Sequence, residues 1–398
     1  MNKKYYLVVT PFFPTAESFR GPFIYDQVQA LKRNSNYEIV VFRPLHPMKE
    51  LFYDYGGVRV YYFHHWQMPS MILNGLTDGA SQRSFLNKLR ELGIPLENVV
   101  VVHSHTISMA AMALAVKKYN PAVKTIVQHH DPDPYGIRNG KLSDKWWNVL
   151  YRARHAKWLF ERIDLHVSVS RYVEQNLLLF PSCSAHDVDK RYLHVLSKVR
   201  NLPKTKIKKS IVLYNGVDVK QFYRNPVPHE GFVIGCVANM EDWKDQLTLI
   251  KAVEILYRKG VRDLTLNFIG SGKEREDYEC YVREHGLEDC IHFLKEVKHD
   301  QLPVFFNALD LFVLPSYFEG FGCVFTEAAA CGVPFMICEG QGASEYLAEH
   351  EKSKWSFKPK DYHTLAKLIK QQMANRCVQR LVEPLDIDVL IIQFLKNI

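Results

Sequence analysis

Residues 311–334 read LFVLPSYFEGFGCVFTEAAACGVP. Four apolar residues, Leu311–Leu314, make a run of the length expected of a strand covered on both faces, and Pro315 ends it. A loop carrying Glu319-Gly320-Phe321-Gly322 follows, and a helix of small residues then starts near Cys323–Thr326 and runs to Ala330. Strand, glycine-bearing loop and helix in that order form half of a βαβ unit, which implies a parallel sheet. The two glycines allow close backbone approach to a ligand, and the helix N-terminus offers free N–H groups to an anion. Open α/β sheets bind ligands at the carboxyl ends of their strands, where this loop falls. Glu319 and Glu327 stand eight residues apart, one in the loop and one in the first helical turns, so both can face one crevice. Two carboxylates beside an anion site are unfavourable unless they serve hydroxyls, which points to a sugar or a ribose. Glu327 alone would read as an acid favoured near a helix N-terminus by the macrodipole.

The same alternation extends outward from this stretch. In the second half, Phe232–Val237, Leu264–Ile269, Ile291–Leu294 and Phe335–Cys338 read as further strands, with Gln246–Arg258 helical. In the first half, Tyr5–Val9, Ile39–Phe42, Val58–Phe63, Val99–Val102, Thr125–Val127 and Leu165–Val169 read as strands, with Phe23–Arg33 and Ala110–Tyr119 helical. Most of these strands lack polar/apolar alternation, as parallel strands buried on both faces do. The fold class is therefore α/β, with two doubly wound domains, and 398 residues suit that number. A Lys-rich stretch meets the turn signal Asn215-Gly216 within Pro203–Phe222, which places the junction there. The expected division is 1–210, 211–384 and an apolar terminal helix, 385–398, packing back towards the first domain.

Apolar residues make up 47% and charged residues 24%, which excludes a largely disordered chain. The net charge of +8 is unevenly placed: residues 1–210 carry +14 and residues 211–398 carry −6. The first half is thus expected to face something anionic. Eight cysteines show no CxxC pair and several lie in apolar runs, so they read as buried hydrophobes in a reducing compartment rather than a zinc or disulfide framework. MNKKYYLVVTPFFP has too short an apolar run for a signal peptide. Val99–Val116 holds no Lys, Arg, Asp or Glu over 18 residues. His103, Ser104, His105, Thr106 and Ser108 interrupt it, so it reads as a strand, a polar loop and a helix of Met and Ala rather than a membrane span.

The run EGFG-x4-E-A-x3-G-x-P resembles the donor-site signature of retaining glycosyltransferases of family 4, which have the GT-B fold: two Rossmann-like domains facing a cleft, with the C-terminal helix crossing back. Asn215-Gly216-Val217-Asp218 resembles the family's turn at the domain junction, and Val237–Lys244 its first loop of the C-terminal domain. Phe268-Ile-Gly-Ser-Gly272 resembles its nucleotide-facing glycine turn, and Phe293–Val297 its nucleobase loop. The resemblance implies a nucleotide-sugar donor held by the C-terminal domain and an acceptor held by the N-terminal one, with no metal or other cofactor. Carried onto this chain, Glu319 sits by the donor sugar, and the amides of Gly320, Phe321 and Gly322, with Cys323 opening the helix, hold hydroxyls and phosphates. Glu327 accepts from the ribose hydroxyls. Lys244 neutralises the leaving diphosphate in place of a metal. Gly270, Gly272 and Val297 line the nucleotide. Asn239 stands where the family commonly has Arg, and Lys295 replaces a usual Gly in the nucleobase loop. Asp131-x-Asp133 matches a metal motif by letters but reads as a proline-stiffened loop in HHDPDPYG.

In the first half, Gly21 precedes Pro22 and a helix, and is the one glycine there suited to close approach, as donor contact or as a plain helix start. Histidines end two strands, His103 and His105 on one, His129 and His130 on the other. The resemblance puts the active-site histidine at His130, with His129 the alternative, in a hydrogen-bonding role. Two basic segments remain: Lys190–Lys209 holds eight Lys/Arg and no acid, and Leu142–Arg162 mixes Trp146, Trp147, Tyr151, Trp158 and Phe160 with basic residues. They suit an anionic membrane surface or, equally, a packed core with a solvated basic face. No nucleic-acid module is visible. The expected activity is transfer of a hexose from a UDP- or GDP-sugar to a glycan or lipid-linked glycan in cell-surface polysaccharide synthesis, by a cytoplasmic protein peripheral to the membrane. A nucleotide-sugar epimerase would need no acceptor, and a non-catalytic sugar-binding protein would have a degraded donor loop. A dehydrogenase is disfavoured because no GxGxxG follows the first strand.

Overall fold

The computed structural model describes residues 3–16, 21–45, 50–66, 73, 75–131, 146–177, 203 and 205–398. The chain divides into two compact units. One comprises residues 1–182, 190–215 and 387–398, and the other residues 183–189 and 216–386.

The first unit holds an eight-stranded sheet in the order β3-β4-β2-β1-β5-β6-β7-β8. Its strands are β1 (Tyr5–Val9), β2 (Glu38–Leu45), β3 (Phe52–Tyr55), β4 (Val58–His64), β5 (Val99–His105), β6 (Lys124–His129), β7 (Leu165–Ser168) and β8 (Ser210–Val212). All neighbours are parallel except β3 and β4, which pair antiparallel across Gly56-Gly57. Strand order reverses between β1 and β5, so the crevice that such sheets use for ligands lies outside the carboxyl ends of those two strands. Leu7, Val9, Phe42, Phe85, Met112 and Phe160 meet in one fully buried core. Each such side chain contributes about 1.5–3 kcal/mol on leaving water.

The terminal helix, Ile387–Leu395, belongs to this unit. It buries Ile387, Leu390, Ile391 and Phe394. Arg33 at the end of helix Pro22–Asn34 grips Asp388 with Nε and Nη2 at 3.0 and 2.8 Å, and Asn34 donates to the same carboxylate at 2.7 Å.

The second unit holds a six-stranded, wholly parallel sheet in the order β11-β10-β9-β12-β13-β14. The strands are β9 (Phe232–Val237), β10 (Leu264–Ile269), β11 (Ile291–Leu294), β12 (Leu311–Leu314), β13 (Phe335–Cys338) and β14 (Ser356–Phe357). The reversal falls between β9 and β12, which aims the loops after those strands at one crevice. The backbone of Val217 bridges that of Asp386, holding the unit's two chain ends together one residue before the terminal helix.

Three expectations need correction. The stretch after Val102 is no polar loop: β5 continues to His105, and His103, Ser104 and His105 are buried in the sheet. Only Thr106 breaks it, at a positive φ (+68°) with extended ψ, before helix Ile107–Tyr119. The cysteines are not uniformly buried. Cys236, Cys290, Cys331 and Cys338 are, Cys280 and Cys323 are half-buried, and Cys377 is exposed; all seven are free thiols. The aromatics of the 142–162 stretch divide between core and surface. Phe160 is buried in helix Trp146–Phe160, whereas Trp147 and Trp158 are exposed, and Arg152 is buried rather than on the solvated basic face. Among the described residues no helix is long and apolar enough to cross a membrane. Arg20, Asp133 and most of Lys190–Lys209 lie outside the described residues.

Candidate active site

In the second unit the loops after β9 and β12 meet through one ion pair. Lys244 closes a short helical turn, Asp242–Lys244, and its Nζ donates to Glu319 Oε2; both side chains are 17% exposed. Two further bonds tie the loops: Ser316 Oγ and the Tyr317 amide donate to the Trp243 carbonyl, each at 3.1 Å. A cation and an anion held at the rim of a sheet, each still touching water, form a site that can exchange partners with a charged ligand.

Gly322 caps helix Cys323–Ala330 in the left-handed region (φ +87°). A Cβ there would lie 2.8 Å from the Phe325 ring and 3.0 Å from Glu319 Cγ, so the position requires glycine on both counts. Gly320 and Phe321 are buried and Cys323 half-buried. The loop is clasped from behind by residues that the sequence reading did not single out. Gln341 Oε1 accepts from the Glu319 amide at 2.6 Å, and the Ala343 amide donates to Phe321 O at 3.0 Å. Gly342 packs so closely that a Cβ would lie 2.2 Å from Gly320 O.

The glycines of the turn after β10 also have a local packing reason. At Gly270 and Gly272 a side chain would strike the Ala238 carbonyl at 2.0 Å and the Met240 carbonyl at 2.2 Å. The missing side chains therefore face the β9 loop, against which the turn is zipped by Met240 N→Ser271 O at 2.8 Å. Arg275, also missed, spans the same region: its guanidinium donates to Gly270 O at 2.9 Å, Leu294 O at 3.2 Å and Phe293 O at 3.2 Å. Asn239 is exposed, with its carbonyl accepting from Gln246 Nε2 at 3.0 Å, and Val297 is half-buried.

Glu327 sits inside helix Cys323–Ala330, 6% exposed. Its Oε1 accepts from His299 Nε2 at 2.9 Å, and its buried Oε2 has no hydrogen-bond partner. The two glutamates thus take separate partners, Lys244 for Glu319 and His299 for Glu327. Beside Lys244, Asp245 is buried in a left-handed conformation (φ +51°), and burial pushes its carboxyl up to about 6 while the Thr248 hydroxyl bond opposes the rise.

The first unit gathers neutral rings instead. Gly21 adopts φ +86° at the head of helix Pro22–Asn34, and a Cβ would crowd the Phe12 backbone at 3.1 Å. Phe23, the helix's second residue, packs on His130 with centroids 4.9 Å apart. His130 Nε2 lies 2.9 Å from His105 Nδ1, and the rings stack at 8°. His105 stacks in turn on His103, whose Nδ1 is bonded to the Tyr6 hydroxyl at 2.7 Å. His129 turns the other way, stacked on His166 at 3° with nitrogens 3.1 Å apart. Adjacent residues of an extended chain point to opposite faces, which separates His130, at the carboxyl edge with Gly21, from His129 in the core. Burial lowers His103, His130 and His166 to about 3, and lowers His105 as well, so these rings are neutral at physiological pH.

Comparison with known proteins bears on both units. Residues 219–383 match the family model described as glycosyl transferases group 1, and residues 21–187 match that of glycosyltransferase family 4. An uncharacterized glycosyltransferase of Methanocaldococcus jannaschii is 26% identical over 48% of this chain, a match that spans only 50% of that relative. The Campylobacter jejuni N,N'-diacetylbacillosaminyl-diphospho-undecaprenol alpha-1,3-N-acetylgalactosaminyltransferase is 24% identical over 77% of this chain and 84% of its own. Among solved structures, Anabaena HepE in complex with UDP superposes with a TM-score of 0.67 at 16% identity over 99% of both chains, a likeness of fold.

Proposed function

This chain belongs to the family 4-like glycosyltransferases and has their GT-B fold, and from that premise we propose that it transfers a hexose from a nucleotide-diphosphate sugar with retention of configuration and without a metal ion. The observation that carries the reading is the Lys244–Glu319 pair at the strand reversal, beside the N-terminus of helix Cys323–Ala330. A diphosphate reaching this rim meets one ammonium group and the positive end of the helix dipole, a field set before substrate arrives. Glu319, relieved of part of its ion pair, accepts from the sugar hydroxyls. Gly320, Phe321 and Gly322 offer backbone amides, and Glu327 accepts from the ribose.

In the reaction the anomeric carbon–phosphate oxygen bond breaks as a bond to the acceptor oxygen forms on the same face. The acceptor's proton passes to the departing phosphate, and no electrons change hands. Positioning and charge stabilisation supply the rate. His130, neutral and with its Nδ1 unpartnered, serves as a hydrogen-bonding group to sugar or acceptor.

We take the donor to be a UDP- or GDP-sugar and the acceptor a glycan, lipid-linked in cell-surface polysaccharide synthesis. Support comes from the UDP in the HepE complex and from the diphospho-undecaprenol acceptor in the Campylobacter relative's name. The +14 charge of residues 1–210 and exposed Trp147 and Trp158, the latter under the Arg162 guanidinium at 4.9 Å, support reversible attachment to the cytoplasmic face of an anionic membrane. Co-sedimentation with anionic vesicles should rise with the anionic lipid fraction and fall with salt.

The test of activity is to incubate the protein with UDP-, GDP- and ADP-hexoses and a lipid-linked glycan, with and without EDTA. Sugar transfer that persists in chelator and yields the donor's anomeric configuration is expected. Transfer abolished by EDTA and restored by magnesium or manganese, or inverted product, would refute it.

A further inference from the structure

A buried carboxylate is normally satisfied at both oxygens, because an unpaired one loses its water without replacement. Glu327 breaks that rule at one atom only. His299 Nε2 holds Oε1 at 2.9 Å, while Oε2 is buried with no partner. By contrast, a cavity of about 430 Å³ elsewhere in this unit, lined by Arg224, Asp310 and Arg376 among others, leaves no buried side-chain polar atom unsatisfied. Two carboxylates of this unit leave one oxygen buried without a partner, Glu327 Oε2 and Glu351 Oε2; only Glu327 lies in the helix that follows the strand-reversal loop, so it is the one that asks for a ligand at this rim.

His299 comes from a different segment, the short turn His299–Gln301 that follows β11. Its ring rests on Phe222, a fully buried side chain, with centroids 5.1 Å apart at 52°. A carboxylate can only accept, so Nε2 must carry the proton and donate. That bond and the Phe222 contact together fix which oxygen of Glu327 is occupied and which is left open.

We propose that His299 is a positioning residue for donor binding: it occupies Oε1 of Glu327 so that Oε2 stays free to accept a ribose hydroxyl of the nucleotide. The inference rests on the reading of Glu327 as the ribose-binding carboxylate. It goes beyond that reading in assigning the imidazole a part in affinity. Because the ribose is remote from the bond being broken, the effect falls on binding and KM rather than on kcat.

The experiment titrates UDP, GDP and ADP calorimetrically into the full-length protein and carries forward the nucleotide that binds. Glu327→Ala, His299→Ala, His299→Asn and His299→Gln are then compared, with thermal unfolding as the check on folding. A glutamine amide reaches the position of Nε2, whereas an asparagine amide reaches only that of Nδ1. His299→Ala and His299→Asn should weaken binding about 10-fold, His299→Gln should stay within about 3-fold of wild type, and kcat at saturating donor should be unchanged in all three. Wild-type affinity in His299→Ala and His299→Asn alongside weak binding by Glu327→Ala would overturn the role of His299. Full affinity in Glu327→Ala, or no binding of any nucleotide to the wild type, would overturn the underlying reading and this inference with it.

Discussion

The two units use the same architectural position, the carboxyl edge at a strand reversal, with opposite electrostatics. In the second unit the edge carries acidic and basic side chains paired across it, Lys244 with Glu319 and Glu327 with His299, and Asp245 is buried next to Lys244. In the first it carries stacked imidazoles that burial keeps neutral, His103, His105 and His130, beside Gly21 and Phe23. Charges suit a ligand with phosphates, whose field a buried neutral ring does little to balance. Neutral donors and acceptors suit hydroxyls, where a charge would add desolvation cost without adding specificity. On the reading proposed above, this contrast would match a phosphate-bearing donor at the second unit's rim and a hydroxyl-bearing partner at the first's.

The sharpest way to break this contrast is to remove one group from each rim. Lys244→Ala deletes the cation expected to stabilise the departing diphosphate, and kcat should fall by about 10²–10³-fold, the range for losing one pre-set electrostatic partner. His130→Ala removes a neutral hydrogen bond, and the fall should be about 10-fold. Steady-state kinetics at saturating donor and acceptor measure both. Equal losses in the two variants would mean that the histidine edge also bears charge in the transition state.

The contrast also accounts for what the sequence made legible. The second unit's rim is largely contiguous: Glu319, Gly320, Phe321, Gly322 and Glu327 fall within nine residues, and β9 to β13 have the bounds their apolar runs predict. Short periodic runs and a local motif are what a single sequence displays. His299, Arg275 and the Gln341–Gly342 clasp were missed because each acts on a partner 18 or more residues away, with no local pattern to mark it. In the first unit the imidazole stack is assembled across β5 and β6, and reading β5 as ending at Val102 hid it. Polar residues in a strand look like a loop until the neighbouring strands that bury them are known. β8 and β14, three and two residues long, fell below the length at which a run is informative, and β3 is a four-residue run broken by Asp54, although Gly56-Gly57 is a hairpin signal for it.

Acidification should separate the units. His103 and His166 are fully buried and lowered to about 3 from 6.5 by burial. Their folded values are depressed, so the unfolded chain takes up protons first. Stability present above pH 6.5 is lost as pH falls towards 3. At pH 5 this amounts to about 2 kcal/mol per ring, a large share of a typical domain's 5–15 kcal/mol. Hydrogen exchange, corrected for its intrinsic pH dependence, should show β5, β6 and β7 losing protection between pH 7 and pH 5 while β9, β10 and β12 retain theirs. Matched losses in both sheets would remove the histidines as the cause.

The smallest expected effect has the opposite sign and tests the charged rim. Asp245 is buried and raised to about 6 from 3.8, with burial the main cause. An acid whose folded value is raised contributes stability that is complete below pH 3.8 and is lost as pH rises through 6. At pH 8 the buried charge therefore works against the fold. Asp245→Asn removes the charge, keeps an oxygen for the Thr248 hydroxyl now 2.7 Å away, and tolerates the left-handed backbone at φ +51°. Stability in denaturant should rise by about 1–2 kcal/mol at pH 8, less than the roughly 3 kcal/mol that the full shift would give, because an amide does not reproduce every contact of the carboxylate. At pH 4, where the wild-type carboxyl is protonated in the folded state, the two proteins should be nearly equal. A gain of the same size at both pH values would show that asparagine stabilises this turn by its backbone preference, and that the charge beside Lys244 carries no penalty.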